Sequence, residues 1–283
     1  KFIAGNVTSL TYSLSNVFTE VQTNNYSIYN FAYDTPGILD EFIDDQYKSN
    51  ARVGLMHNWT FYPADGLKID FRNFFTSTSQ SRVTSREGRD WYNNGRYVSA
   101  GETKYSNRLI YSGQLGAEKL FNEGKTVIDF TAGYSLSSKD EPDIRRYRYI
   151  SNDPEVTPFA LMFGNNPDLS SVARMWLDLG EDNISGMLNF TQKFRIGNME
   201  TDFRSGIYAE SRSRTFTARN FGYAMGSDSS TFSSTTMPIG EVFDSENINL
   251  TDGIKLKEIT ALSDSYSAIS YIVAGYVNLR IKP

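Results

Sequence analysis

The sequence has no cysteine and a single histidine, His57. The first absence excludes a disulfide scaffold, thiolate metal sites and a cysteine nucleophile. The second excludes a multi-histidine metal centre. No window of 18 apolar residues exists, so a membrane-spanning helix is excluded too. Helical periodicity is nearly missing. Positive charge is not in excess: 28 Lys and Arg face 33 Asp and Glu among 283 residues, a formal net charge of −5. That balance argues against nucleic acid, which wants a basic face. The length fits one large domain or two ordinary ones.

What the chain does have is aromatic residues (18 Tyr, 19 Phe) and alternation. Ala51, Val53, Leu55, His57, Trp59 and Phe61 fall on one face of an extended strand; Arg52, Gly54, Met56, Asn58 and Thr60 fall on the other. After Pro63-Ala64-Asp65-Gly66 the pattern resumes, with Leu67, Ile69 and Phe71 against Lys68, Asp70 and Arg72. A strand, a Pro/Asp/Gly turn and a strand read as a hairpin. Two further hairpins follow, turning at Asn122-Glu123-Gly124 and at Gly197-Asn198. One strand before them (about 5–29) and one after (about 264–281) make eight. The connections alternate: short turns at 63–66, 122–124 and 196–198, and long polar segments at roughly 31–48, 86–100, 139–175 and 221–263. The mean hydropathy of −0.43 suits a soluble protein. Alternating strands, however, combine a mild average with one fully apolar face.

Two arrangements satisfy such strands. A soluble sandwich or propeller-like fold packs the apolar faces together. A transmembrane barrel turns them toward lipid around a polar interior. Full charges on the polar face (Lys68, Asp70, Arg72, Asp202, Arg204), runs longer than ordinary globular strands, and the short-turn/long-loop alternation favour the barrel. The expected fold class is therefore all-β: an antiparallel meander forming part of a transmembrane outer-membrane β-barrel, over residues 1–283 as one partial barrel domain. The chain opens Lys1-Phe2-Ile3-Ala4 without an initiator Met and stops directly after a strand-like run. Both ends read as cut from something longer, with any targeting signal expected beyond them.

Four stretches, in this order, carry a resemblance: Arg108 to Gly116 (RLIYSGQLG), Lys139 to Tyr149 (KDEPDIRRYRY), Ala218 to Tyr223 (ARNFGY), and Asp264 to Ala268 running into Ile272 to Tyr276. Together they resemble the barrel of TonB-dependent outer-membrane receptors, particularly those of Bacteroidota, across nearly the whole chain. The resemblance implies a 22-stranded barrel with a plug domain, importing scarce nutrients at the expense of energy delivered by TonB. The plug and the TonB-contacting segment have no counterpart in this sequence. The implied partners are outer-membrane lipid, the TonB complex through that missing part, and in some members a surface lipoprotein; the implied location is the outer membrane of a Gram-negative bacterium. A passive pore or structural barrel, and a soluble glycan-binding module, remain as alternatives.

No catalytic residue is expected. His57 shares a face with Leu55 and Trp59, without a nucleophile or an orienting carboxylate placed beside it. Gly124-Lys125-Thr126 imitates the end of a P-loop, but Lys119 stands where the template needs glycine. Six Asn-x-Ser/Thr sequons, at Asn6, Asn25, Asn58, Asn183, Asn189 and Asn249, read as chance in a Ser/Thr/Asn-rich strand protein. Two acidic runs, Asp34 with Asp40, Glu41, Asp44 and Asp45, and Glu241 with Asp244, Glu246 and Asp252, read as solvated loops, with structural calcium as the minority alternative. No other cofactor is expected. Trp91, Tyr92 and Tyr97 in the second long segment, with Arg145 and Arg146 in the third, are the candidate ligand-binding residues. Exposed rings beside guanidinium groups can stack on sugars or flat chelates. Tyr147 and Tyr149 are assigned to an interfacial aromatic belt or to loop packing.

Overall fold

A computed structural model describes residues 2–26, 37–93, 95–228 and 234–282. Eight long strands carry the chain: β1 (Ile3–Tyr26), β2 (Ile38–Ala64), β3 (Leu67–Asp90), β4 (Arg96–Phe121), β5 (Thr126–Ser151), β7 (Ala173–Ile196), β8 (Met199–Met225) and β10 (Tyr266–Lys282). Two short ones, β6 (Ala160–Leu161) and β9 (Ile254–Glu258), complete the set. All lie in one antiparallel sheet, ordered β1-β2-β3-β4-β5-β7-β8-β10, with β6 on β5 and β9 on β8. The expected eight-strand meander is therefore present. Among the described residues β1 and β10 do not pair with each other.

The tight hairpins fall where turn chemistry placed them. Asp65-Gly66 joins β2 to β3 and Gly197-Asn198 joins β7 to β8, with Gly66 and Gly197 at φ of 66° and 63°. Those left-handed values suit glycine, which has no Cβ to clash. At the other end of the sheet the first two long segments are mostly strand and the last two begin as strand, which corrects the loop expectation in part. β2 starts at Ile38 within the 31–48 segment, and 27–36 lie outside the described residues. The 86–100 segment is the end of β3, a short turn and the start of β4. β5 runs on to Ser151 and β8 to Met225 before genuine connections begin. A 26-residue strand such as β5 reaches roughly 85 Å at the usual rise per residue.

Register assigns the two faces across the whole sheet. Leu10 pairs Leu55, Leu55 pairs Phe75, Phe71 pairs Trp59 and Leu115, Leu115 pairs Ala132, Phe130 pairs Leu188, and Leu188 pairs Ile207. One apolar face thus runs unbroken from β1 to β8 and continues onto Val273 and Val277 of β10. No second sheet covers it among the described residues, and Leu10, Ile207 and Val273 are 73%, 63% and 83% exposed. The opposite face carries Arg52, Gln80, Lys104, Arg108, Lys139, Arg212 and Arg214.

The buried apolar cluster is small and sits beyond that face, at the end where connections are long. Leu161, Val172, Val242 and Ile254 pack with Tyr147, Tyr149, Tyr223 and Phe243. Tyr149 also donates its hydroxyl to the Met237 carbonyl at 2.7 Å. Loop packing, not an interfacial belt, is what Tyr147 and Tyr149 do. The short helix α1 (Ile239–Val242) contributes Val242 to the same cluster.

Candidate functional site

The site is built on β5, by one irregularity. Between Glu141 and Ile144 this strand has one residue more than either neighbour: four β4 steps (Thr103 to Asn107) face five on β5, and two on β7 (Met175 to Leu177) face three. Asp143 adopts φ of 52° at this bulge. A bulge inverts side-chain alternation beyond it. Lys139 and Glu141 before it, and Arg146 and Arg148 after it, therefore share the polar face. Simple counting puts them on opposite faces. The KDEPDIRRYRY stretch, expected as loop, is a bulged strand.

An ion-pair ladder results. Glu141, 4% exposed, receives Lys139 at 2.6 Å and Lys104 at 3.0 Å. Glu102 receives Arg82 and Arg146, each at 2.6 Å. Asp44 is held by a two-pronged Arg86 contact at 2.7 and 2.8 Å. Asp90 takes Arg148 at 2.7 Å, together with the Asn93 side chain and backbone N–H. Burial pushes the carboxyl groups of Glu102, Glu141 and Asp90 upward; the partners that bond each of them outweigh it, and all three stay below the ordinary carboxylate range. Asp44, Arg82, Arg86, Asp90, Glu102, Arg146 and Arg148 line a cleft of about 570 Å³ on the polar face, with Phe42, Gln46, Thr84 and Ser170.

The five candidate ligand residues do not converge. Arg146 lies in the cleft wall and bonds Glu102. Arg145 points the other way and shares Asp143 with Arg174. Trp91 and Tyr97 are occupied internally: the Arg89 guanidinium lies 4.0 Å from one ring centroid and 4.3 Å from the other. Tyr92, 78% exposed, is the freest ring of the group. Sequence reasoning missed Arg82, Arg86, Asp90 and Glu102; it noted Asp44 only in a solvated acidic run and Arg148 only within the 139–149 stretch. Their signal was present only as charges at alternate positions of β2, β3, β4 and β5, and Asp44, Arg86, Asp90 and Arg148 fell inside segments expected to be loops.

The acidic run at 40–45 is likewise a strand. Asp40 and Asp44 share one face, Glu41 and Asp45 the other, and Asp34 lies outside the described residues. Among the described residues no three acidic or histidine side chains converge. His57 accepts from Trp59 Nε1 at 2.7 Å through Nε2, and its Nδ1 lies 2.8 Å from Thr8 Oγ1. Its ring thus ties β1 to β2 on the apolar face. No protein-family profile, curated protein or solved structure matches this chain.

Proposed function

We propose that the chain is wall of an outer-membrane β-barrel that imports a solute, with the apolar face against lipid and the charged face lining the lumen. One observation carries the reading: the unbroken, exposed apolar face across all eight long strands. Water would make such a face a strong aggregation site; hydrocarbon is the solvent it suits.

The height of the face agrees. On β5 the apolar stretch runs from Ile128 to Leu136, after which Ser138 and Asp140 take over. Nine residues span roughly 30 Å along a strand, or about 23 Å upright at the usual barrel tilt, close to the hydrocarbon band of such barrels. Trp59 and Phe61, stacked 5.5 Å apart, lie at the tight-turn edge of this band. Tyr111 and Tyr134, 6.3 Å apart, lie toward its other edge. Aromatic girdles occupy those levels in membrane barrels.

The polar face argues for a wide lumen. An eight-stranded barrel has an interior just filled by side chains. Here Lys48 and Arg108 have no carboxylate partner among the described residues, which suits water or ligand in front of them. Inside lipid, the long edges of β1 and β10 also need strand partners. A larger barrel with energised uptake, as in the TonB-dependent receptors the sequence resembles, fits both requirements.

The test is made on the native protein. Expected results are detergent-dependent extraction, slower gel mobility after boiling, an intact mass well above 32.0 kDa, and solute uptake abolished by a protonophore. Uptake that survives the protonophore would leave a passive pore. Extraction without detergent would overturn the barrel.

A further inference from the structure

The polar face between β2 and β5 concentrates positive charge against the acidic balance of the chain. Register places Lys48, Arg82 and Lys104 directly opposite one another on three adjacent strands. Four residues further along, Arg52, Thr78, Arg108 and Lys139 form a second row across four strands. The row between them holds Asn50, Gln80 and Ser106. Like charges directly opposite across strands are destabilising, so the cations that no local carboxylate neutralises favour an anion in front of them. Ordinary strand spacings make the patch roughly 13 Å by 14 Å.

The local carboxylates are already engaged at its border. Glu102 serves Arg82 and Arg146, and Glu141 serves Lys104 and Lys139. Among the described residues, Lys48, Arg52 and Arg108 form no ion pair; Arg52 makes a hydrogen bond of 3.4 Å to Thr78. The Nε of Arg82 is buried without a hydrogen-bond partner, a costly state for a charged donor. The rows contain no aromatic ring to stack on a sugar or a flat chelate. Asn50 and Gln80, joined at 2.7 Å, add neutral polar groups between the two charged rows.

We propose that this patch is a binding site for a multivalent oxyanion, a polycarboxylate or polyphosphate held through several separated charges. It adjoins the cleft through Arg82, which belongs to both. The proposal rests on the reading of this face as lumen wall. Guanidinium groups match oxyanions in paired hydrogen bonds, while Lys48 and Lys104 supply point charges. A neutral solute of the same size finds little to hold it here.

The experiment uses the full-length protein in detergent, with inorganic tripolyphosphate as probe, citrate as the carboxylate competitor and maltotriose as the neutral control. Lys48 and Arg108 are the residues to change, because neither leaves an orphaned carboxylate behind. The expected result is saturable tripolyphosphate binding that citrate displaces, maltotriose does not, and added salt weakens. The double variant K48Q/R108Q should bind at least about tenfold more weakly, since hydrogen bonds to charged groups have about that worth. The variant K48R/R108K should retain binding, and K125Q, at a tight turn, should match wild type. Absence of saturable binding by a wild-type protein that shows detergent dependence and boiling-sensitive mobility would overturn the site while leaving the barrel standing. Equal binding by a K48Q/R108Q protein that passes the same mobility check would also overturn it. Loss of those barrel properties in the wild type would instead defeat the underlying reading.

Discussion

Arg146 lies directly opposite Glu102 in the β4–β5 ladder and donates to it through Nε at 2.6 Å. The contact depends on the extra residue that β5 inserts at Pro142-Asp143. Without it, Arg146 would turn to the apolar face and Arg145 would take its place. The bulge thus decides which guanidinium groups enter the cleft, and Asp143 is its pivot. Its φ of 52° is uncommon for a residue with a Cβ. Its carboxylate receives Arg174 at 2.7 and 2.8 Å and Arg145 at 2.6 Å.

Two substitutions separate the backbone role of Asp143 from its charge. Asp143→Ala loses the ion pairs and leaves a Cβ in the left-handed region. Asp143→Gly loses the same ion pairs and removes that strain. Both should lower the thermal midpoint in detergent, with the alanine variant the less stable by about 0.5–1 kcal/mol. An alanine variant as stable as the glycine variant would mean that the positive φ carries no cost.

The same carboxylate gives a pH dependence with a definite sign. The Arg174 guanidinium, ahead of Arg145, holds the Asp143 carboxyl at about 2. An unfolded chain would titrate it near about 3.9. A carboxyl whose folded value is depressed contributes stability that is complete above the unfolded value and is lost as pH falls toward the folded one. The stability gap between wild type and Asp143→Asn should therefore be constant above about pH 5 and shrink between about pH 4 and pH 2. Thermal melts across that range check it. A gap independent of pH would show that the ion pair contributes nothing to folding.

These relationships explain what could and could not be read from the sequence. From Ile128 to Leu136 the apolar residues alternate, and both the strand and its faces were legible. Beyond Ser138 charges fall on both faces and the bulge breaks the alternation, so the signal vanishes, yet the ladder continues to Ser151. Backbone hydrogen bonds and cross-strand ion pairs hold it there, and neither requires hydrophobic alternation. The ends of the expected loops were for that reason strand. The cleft escaped notice because a bulge changes parity by one residue, and only Pro142 beside an aspartate hinted at it. Trp91 and Tyr97 looked free because nothing in their spacing reveals that Arg89 lies between the rings.

Asp90 ties the β3–β4 turn to β5. It is 5% exposed and bonds Asn93 of its own turn as well as Arg148 across the sheet. Removing it strands a guanidinium whose Nε is already without a partner. Asp90→Ala should cost about 3–5 kcal/mol, the range for breaking a buried pair from one side. Hydrogen exchange should then quicken through 89–97, the segment that carries the Arg89 stack. Asp90→Ala paired with Arg148→Met should recover part of the loss. A double variant no better than the single one would assign the effect to the turn contacts with Asn93 alone.

Adjacent residues on one strand give the sharpest test of the lipid-facing assignment. Phe130 and Thr131 are neighbours on β5, but Phe130 pairs Ala117 and Leu188 on the apolar face while Thr131 pairs Gly116 and Met187 on the other. Both sit at the same depth. Arginine at a lipid-facing position near mid-membrane costs about 2–4 kcal/mol in barrels of this type, whereas lumen positions tolerate it. Phe130→Arg should therefore block assembly, seen as loss of boiling-sensitive mobility in isolated membranes, and Ile128→Arg, at the edge of the band, should impair it less. Thr131→Arg should assemble normally. Size alone cannot produce that contrast, because the larger change in volume is the one expected to be harmless. Normal assembly of both apolar-face variants would remove hydrocarbon as the solvent of that face and return the sheet to an aqueous setting, where a soluble partner would have to cover it.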